Sequence, residues 1–349
     1  MHVVRRPLMR AIPALLALLL VAGTTATATE PAADTGSSAW PLSTVAPAVT
    51  AAPSAVRKVA LGINMAPWSD LSLLDQFAAD AGRMPAVWSI WGTWGGAGNA
   101  FPTAFVQQLR ERGVVPMMTW LPADQAHPDS NAYTYRKIVR GDHDAYLRSW
   151  AQAAKDYGGT IVLRVFHEMD GAWYSWGVGR FDNTAKRFIA GWRHVWNIFR
   201  GPNGVGATNV KFLWSPNYPA AKRPAWSSIY PGDRYVDYVG FTSFNWVRRS
   251  PWKSMVRLFS VPYTTLRTIT RKPVVASETG SNWRGGSKAA WIRDGYPAVY
   301  KAYPQIRLIV YFNVNMEPQH PDWSLTRPIT AMAAYRAIAA KTIFQGRFP

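Results

Sequence analysis

Eight short runs of apolar and β-branched residues recur along the chain, and helix-period stretches separate most of them. The runs read as buried strands at 59–65, 86–90, 114–120, 160–166, 210–214, 236–241, 273–277 and 306–312. Helical patterns fall at 70–81, 101–112, 143–157, 183–199, 252–268, 287–302 and 329–343, with only short helical candidates after the fifth strand. Strands this continuously apolar need cover on both faces, which parallel strands receive from crossover helices. Closing the sheet also removes its edges. The pattern therefore predicts an α/β fold, a (β/α)8 TIM barrel, over an open doubly wound sheet.

The barrel accounts for 58–349, about 290 residues, which suffices for one large core. Ahead of it, the basic stretch MHVVRRPLMR, the apolar run AIPALLALLLVAG and the small-residue segment TTATATE follow the layout of a secretory signal peptide over 1–28. Ala26 and Ala28 suit a cleavage site, and the apolar run is short for a single-span anchor, the rival reading. Residues 29–57 are rich in Ala, Pro, Ser and Thr, and predict a disordered linker that cannot repay its ordering entropy. The expected product is a secreted, extracellular monomer with no stable membrane insertion after cleavage.

Composition narrows the chemistry. The chain has no cysteine, which excludes disulfides, thiol catalysis and thiolate-bound metals. Its net charge of +19 falls to +16 without Arg5, Arg6 and Arg10, and the remaining basic residues are scattered, with no recognition helix. No nucleic-acid partner is expected. His167-Glu168 begins like a zinc-protease motif, but Gly171 stands where the second histidine belongs. Asp124, Asp129, Asp142 and Asp144 read as solvated loops and helix starts; neither a metal nor another cofactor is expected. WGTWGGAGN lacks the spacing of a phosphate loop and reads as a flexible βα loop, and no GxSxG elbow supports a serine hydrolase.

Two glutamates remain. Glu168 follows the strand-like VLRVFH, and Glu278 follows VVAS ahead of Thr279-Gly280, which reads as a turn. Carboxylates at two strand ends of one barrel are candidates for the acid pair of a glycosidase. Glu168 has His167, Trp173, Tyr174 and Trp176 around it, and rings that exclude water favour the neutral form of an acid, suiting a proton donor. Glu278, at an exposed strand end, suits a nucleophile. The bland alternative makes either glutamate a structural ion-pair partner. Eighteen tryptophans supply flat surfaces for pyranose C–H faces, Trp120, Trp173, Trp176, Trp246 and Trp283 among them, although many must fill the core. A non-catalytic carbohydrate-binding barrel would share those aromatics.

The segments LGINMAP, GVVPMMTW, LRVFHEMDGAWYSWG, FLWSPN, YPGDRYVDYVGF, KPVVASETG and LIVYFN together resemble glycoside hydrolase family 26, which includes β-mannanases and some mixed-linkage β-glucanases. The resemblance implies a retaining endo-β-glycanase with Glu168 as acid/base and Glu278 as nucleophile. It makes His167 the histidine beside the acid/base and sets Trp173 and Trp176 in a sugar-binding stretch. Asn217 and Trp283 fall in equivalent strand-end regions. The implied partner is a β-linked polysaccharide or oligosaccharide, β-1,4-mannan first and mixed-linkage glucan second. Two departures stand out: Phe244 occupies a position where the family usually carries a tyrosine whose hydroxyl contacts the nucleophile, and Leu121 follows MMTW where an acid is common.

Overall fold

The computed structural model describes residues 56–96, 99–246 and 251–348. The signal peptide expected at 1–28 and nearly all of the 29–57 linker lie outside the described residues. Eight parallel strands form one closed barrel: β1 (Ala60–Asn64), β2 (Val87–Gly95), β3 (Val115–Asp124), β4 (Ile161–Val165), β5 (Val210–Trp214), β6 (Tyr238–Asn245), β7 (Val274–Ser281) and β8 (Ile306–Phe312). Strand β8 returns to pair with β1, so the predicted TIM barrel is the observed fold. The helices are α1 (Leu71–Ala81), α2 (Thr103–Glu111), α3 (Tyr135–Arg140), α4 (Asp144–Tyr157), α5 (Ala185–Arg200), α6 (Met255–Ile269), α7 (Lys288–Ala302) and α8 (Thr330–Ala339). Between β5 and β6 only 3-10 turns occur, at Trp226–Ile229 and Asp233–Tyr235.

Local chemistry sets the helix starts. The side chains of Asp70, Thr184, Ser254 and Ser287 each accept a hydrogen bond from an amide of the first turn of α1, α5, α6 and α7. Helix α3 was not legible, because six residues are too few to display a helical period. Two expected loops are strand instead. Trp91–Gly95 of the glycine-rich stretch continues β2, where Gly95 admits the Tyr133 ring; a Cβ there would meet its hydroxyl at 2.3 Å. Thr279 and Gly280, read as a turn, pair with Ser243 and Phe244 inside the sheet.

Alternation along the strands sorts side chains into two environments. Ala60, Val87, Met117, Val162, Leu213, Val275, Leu308 and Val310 form one apolar cluster, joined by Tyr238 and Phe348. Two residues further along several of these strands come Ser89, Thr119, Arg164, Ser215 and Ser277, and Asn64 follows four residues after Ala60, all fully buried. The barrel interior is thus an apolar layer below a polar one, nearer the carboxyl ends of the strands. Residues of the opposite parity, including Ile63, Trp88, Trp120, Leu163, Trp214 and Phe241, join the larger cluster shared with the helices.

The β8–α8 connection is tied to α7 by a buried lysine. Lys288 Nζ donates to the carbonyls of Asp322 (3.2 Å), Ser324 (2.8 Å) and Arg327 (2.8 Å). Burial pulls this amine down to about 8. Lys288→Met should lower stability by ~2 kcal/mol, several degrees in Tm, because carbonyls would lose their donor inside the protein. An unchanged or higher Tm in thermal unfolding would show that relief of the buried charge outweighs those bonds.

Candidate active site

The carboxyl ends of the strands surround a narrow aromatic cavity. Its walls are Trp68, Trp91, Tyr174, Phe244, Trp246, Phe312, Met316 and Trp323, and both Glu168 and Glu278 line it. Trp68 stacks on Trp91 with centroids 5.4 Å apart. Across the cavity Trp323 packs against Phe244 at 4.8 Å and Trp246 at 5.1 Å. Two acids in a slot of indole and phenyl faces meet a sugar ring's needs, with apolar area for C–H groups and polar atoms only where the reacting bond lies.

Each glutamate is presented where the backbone departs from regular strand geometry, Glu168 just past β4 and Glu278 within β7. Glu168 follows β4 in a tight turn with φ at 53°, in the left-handed region that costs a residue with a Cβ, and Phe166 adopts φ of 52°. The Glu168 amide donates to the Ser215 carbonyl at 2.9 Å, which fixes the turn against β5. Glu278 lies where the pairing of β7 shifts register against both β6 and β8, and it pairs with Thr242. Such bulges re-aim a side chain at a barrel rim.

The two acids have different partners. Arg164 projects into the polar interior layer, donates to Glu278 through Nη1 and forms with it a buried ion pair. Its Nε donates to Ser215 Oγ at 3.2 Å and its Nη2 to Thr242 Oγ1 at 2.8 Å. Ser215 in turn shares a 2.6 Å hydrogen bond with Ser277, so the guanidinium is held on several sides. Burial pushes the Glu278 carboxyl up to about 7; the negative field of Glu168 adds to this, and Arg164 opposes it. Glu168 instead accepts from an indole: Trp173 Nε1 donates to its Oε2 at 3.0 Å.

His167 is fully buried in a cage of rings, with Trp91, Tyr174 and Trp176 centroids at 5.0, 4.8 and 5.5 Å. Desolvation, with the nearby Arg164 charge, holds it well below its ordinary value, so the imidazole is neutral. Neither ring nitrogen has a hydrogen-bond partner among the described residues.

Of the residues read from sequence, Glu168, Tyr174, Glu278 and Trp246 line the cavity together. Trp173 touches Glu168, and Trp176 lies one layer back, stacked on Tyr174 at 4.2 Å and donating to the His167 carbonyl at 2.8 Å. Asn217 sits on the loop after β5, where its amide donates to Asp170 Oδ1 at 2.7 Å. Trp283 lies off the cavity with guanidinium groups near its ring, Arg284 at 4.6 Å and Arg327 at 5.2 Å. Trp120 faces the helical layer, 1% exposed, with Trp150 at 4.5 Å, because it is one residue out of phase with the inward Thr119. Sequence reasoning missed Arg164, Phe312, Met316 and Trp323. For Arg164 a signal existed, since a charge inside the apolar run IVLRV needs a buried partner. Among the described residues no group of three or more His, Asp or Glu side chains gathers to hold a metal ion.

The family model for glycosyl hydrolase family 26 matches residues 61–266, more than half of the chain. The chain belongs to glycosyl hydrolase family 26. The matched span includes Glu168 and ends ahead of Glu278. Endoglucanase H of Acetivibrio thermocellus is 35% identical over 239 residues, which cover 66% of this chain and 25% of that protein. A mannan endo-1,4-beta-mannosidase of Bacillus subtilis is 26% identical over 172 residues, 47% of this chain and 42% of the relative. The chain thus spans less than half the length of either curated relative. Among solved structures, the catalytic domain of the family 26 endo-beta-1,4-mannanase of Bacillus sp. JAMB-750 superposes with a TM-score of 0.65 at 17% identity, covering 83% of this chain and 88% of that one. The Bacteroides ovatus family 26 beta-mannanase superposes with a TM-score of 0.61 at 14% identity, covering 82% and 90%. At such identities the likeness speaks to fold.

Proposed function

We propose that the chain is a retaining endo-β-glycanase in which Glu168 is the acid/base and Glu278 the nucleophile. The observation that carries this reading is the shared cavity: two carboxyls from distant strands line one aromatic slot, each with its own partner. Environments that differ in this way allow two identical groups to take different roles. A Glu278 oxygen attacks the anomeric carbon as the bond to the leaving sugar breaks, and Glu168 gives its proton to the departing oxygen. Water, deprotonated by Glu168, then releases the sugar from Glu278 and leaves both groups as they began.

The leading substrate is β-1,4-mannan, supported by family membership and by relatives named as mannan endo-1,4-beta-mannosidases. The second reading is a mixed-linkage β-glucan, favoured by the higher identity to Endoglucanase H and by aromatic faces on both sides of the slot. An all-equatorial glucosyl ring offers two flat faces, whereas the axial 2-hydroxyl of a mannosyl ring interrupts one. Product analysis on mannan, mixed-linkage glucan and β-xylan separates these substrates. Binding without turnover by a folded sample would instead make this a carbohydrate-binding barrel.

Export through 1–28 and a spacer over 29–57 belong to the same reading, and the N-terminal mass of the mature protein tests them. Among the described residues no helix is long and apolar enough to cross a membrane.

The acid assignment has its own test. Glu168→Ala should lower turnover of polysaccharide by ~10²–10⁴-fold, the usual range for a positioned acid. Formation of the glycosyl-enzyme from substrates with activated leaving groups should stay fast. Equal losses on all leaving groups would remove Glu168 from the proton transfer.

A further inference from the structure

The mechanism leaves Arg223 without a role, yet its geometry connects it to the acid. It lies on the loop between β5 and β6, with its guanidinium carbon 4.5 Å from the centroid of the Trp173 ring. Its Nη1 donates to Asn217 Oδ1 at 2.9 Å and to the Tyr218 carbonyl at 3.0 Å, and lies 3.9 Å from Asp170 Oδ2. Asp170 is itself buried and pinned, accepting from the Asn217 amide at 2.7 Å and from Trp226 Nε1 at 3.2 Å. A rigid set of loop atoms therefore holds the cation over one face of the indole. The edge of that indole donates to Glu168 at 3.0 Å, the one hydrogen bond to the Glu168 carboxyl among the described residues.

We infer that Arg223 is a positioning residue for proton transfer, clamping the Trp173 indole so that its N–H holds Glu168 toward the glycosidic oxygen. The inference rests on Glu168 being the acid/base. Three physical points carry it. A carboxyl held through one donor swings when that donor tilts, and misplacement by about 1 Å can cost two orders of magnitude in rate. A cation over an indole face is attracted to it, increasingly so where water is excluded, so the ring is held as well as touched. Finally, only a planar guanidinium stacks on a ring while its edge serves fixed acceptors; an ammonium on a flexible stem cannot do both. Asn217 thereby acquires a role that its sequence position did not reveal: it holds the clamp.

The test uses the full chain and a series of aryl β-mannobiosides and β-cellobiosides, from dinitrophenyl to unsubstituted phenyl leaving groups. Arg223→Met should lower kcat/KM on the phenyl glycosides and on polysaccharide by ~10–30-fold, with less than ~2-fold loss on glycosylation by the dinitrophenyl glycosides and little change in KM. Arg223→Lys keeps the charge, should fall between, and carries the test if Arg223→Met does not fold. A uniform loss across leaving groups would mean that Arg223 merely supports the fold, and no loss anywhere would remove its role; either overturns the inference. Glu168→Ala measured on the same series keeps the two claims apart. If Glu168→Ala is flat across leaving groups, the acid assignment fails. If it is steep while Arg223→Met is flat, only the clamp fails.

Discussion

Glu278→Ala should abolish turnover, lowering kcat by ~10⁴-fold or more, as expected when an attacking group is deleted from a covalent mechanism. The size follows from the site. In the proposed mechanism the other carboxyl in the cavity, Glu168, protonates the departing oxygen; the remaining walls are aromatic rings and Met316, and burial holds the Tyr174 phenol neutral and weakly nucleophilic. The alanine variant also strands Arg164, whose side chain is fully buried and would lose its carboxylate. Breaking a buried pair from one side costs ~3–5 kcal/mol. Glu278→Gln is therefore the better-folded companion, since its amide oxygen can still accept from the guanidinium. Added azide should restore turnover in the alanine variant by attacking from the vacated side, giving a glycosyl azide of opposite anomeric configuration to the substrate. A folded Glu278→Ala or Glu278→Gln protein that retains more than a few per cent activity would sink the nucleophile assignment.

The barrel, and the placement of Glu168 and Glu278 around one cavity, were legible because each leaves a signal of the kind sequence can carry. Buried parallel strands read as apolar runs, and Glu168 and Glu278 each stand at the end of one. What was illegible depends on phase and on pairing across the sheet. Trp120 looks like a sugar platform in sequence, yet strand parity sends it into the helical layer and leaves Trp91, in the stretch read as a loop, on the cavity wall. Arg164 and Glu278 are 114 positions apart, and only closure of the barrel brings them together. The stretch around Thr279 looked like a turn because Gly280 follows, whereas β7 runs on to Ser281 and bulges instead. Phe244 was read as a missing hydroxyl; in the fold it is part of the wall, packed on Phe312 at 5.4 Å and on Trp323. The arginine supplies Glu278 with a donor even though the phenyl ring cannot.

That donor makes Arg164→Met the second large effect. The variant should lose ~3–5 kcal/mol of stability near neutral pH, because Glu278, its cation gone, must either hold an unpaired charge in the interior or take up a proton that the unfolded chain releases at that pH. Its pH dependence distinguishes this account from simple loss of packing. In the native protein burial and Glu168 push Glu278 up while Arg164 pulls it down. Deleting Arg164 leaves the upward influences unopposed, so the folded-state value must rise beyond about 7. A carboxyl raised in the folded state binds more protons there than in the unfolded chain. Stability is then fullest below the unfolded carboxylate range and is lost as pH rises through the folded value. The deficit of Arg164→Met should accordingly be small at pH ~5 and large at pH ~8, read by chemical denaturation at the two values. Activity should move in the opposite sense: a nucleophile must be ionised, so the acid limb of kcat/KM should shift to higher pH in the variant. A stability deficit that is the same at both pH values, with the acid limb unmoved, would mean that Arg164 fills space in the barrel without setting the charge of Glu278.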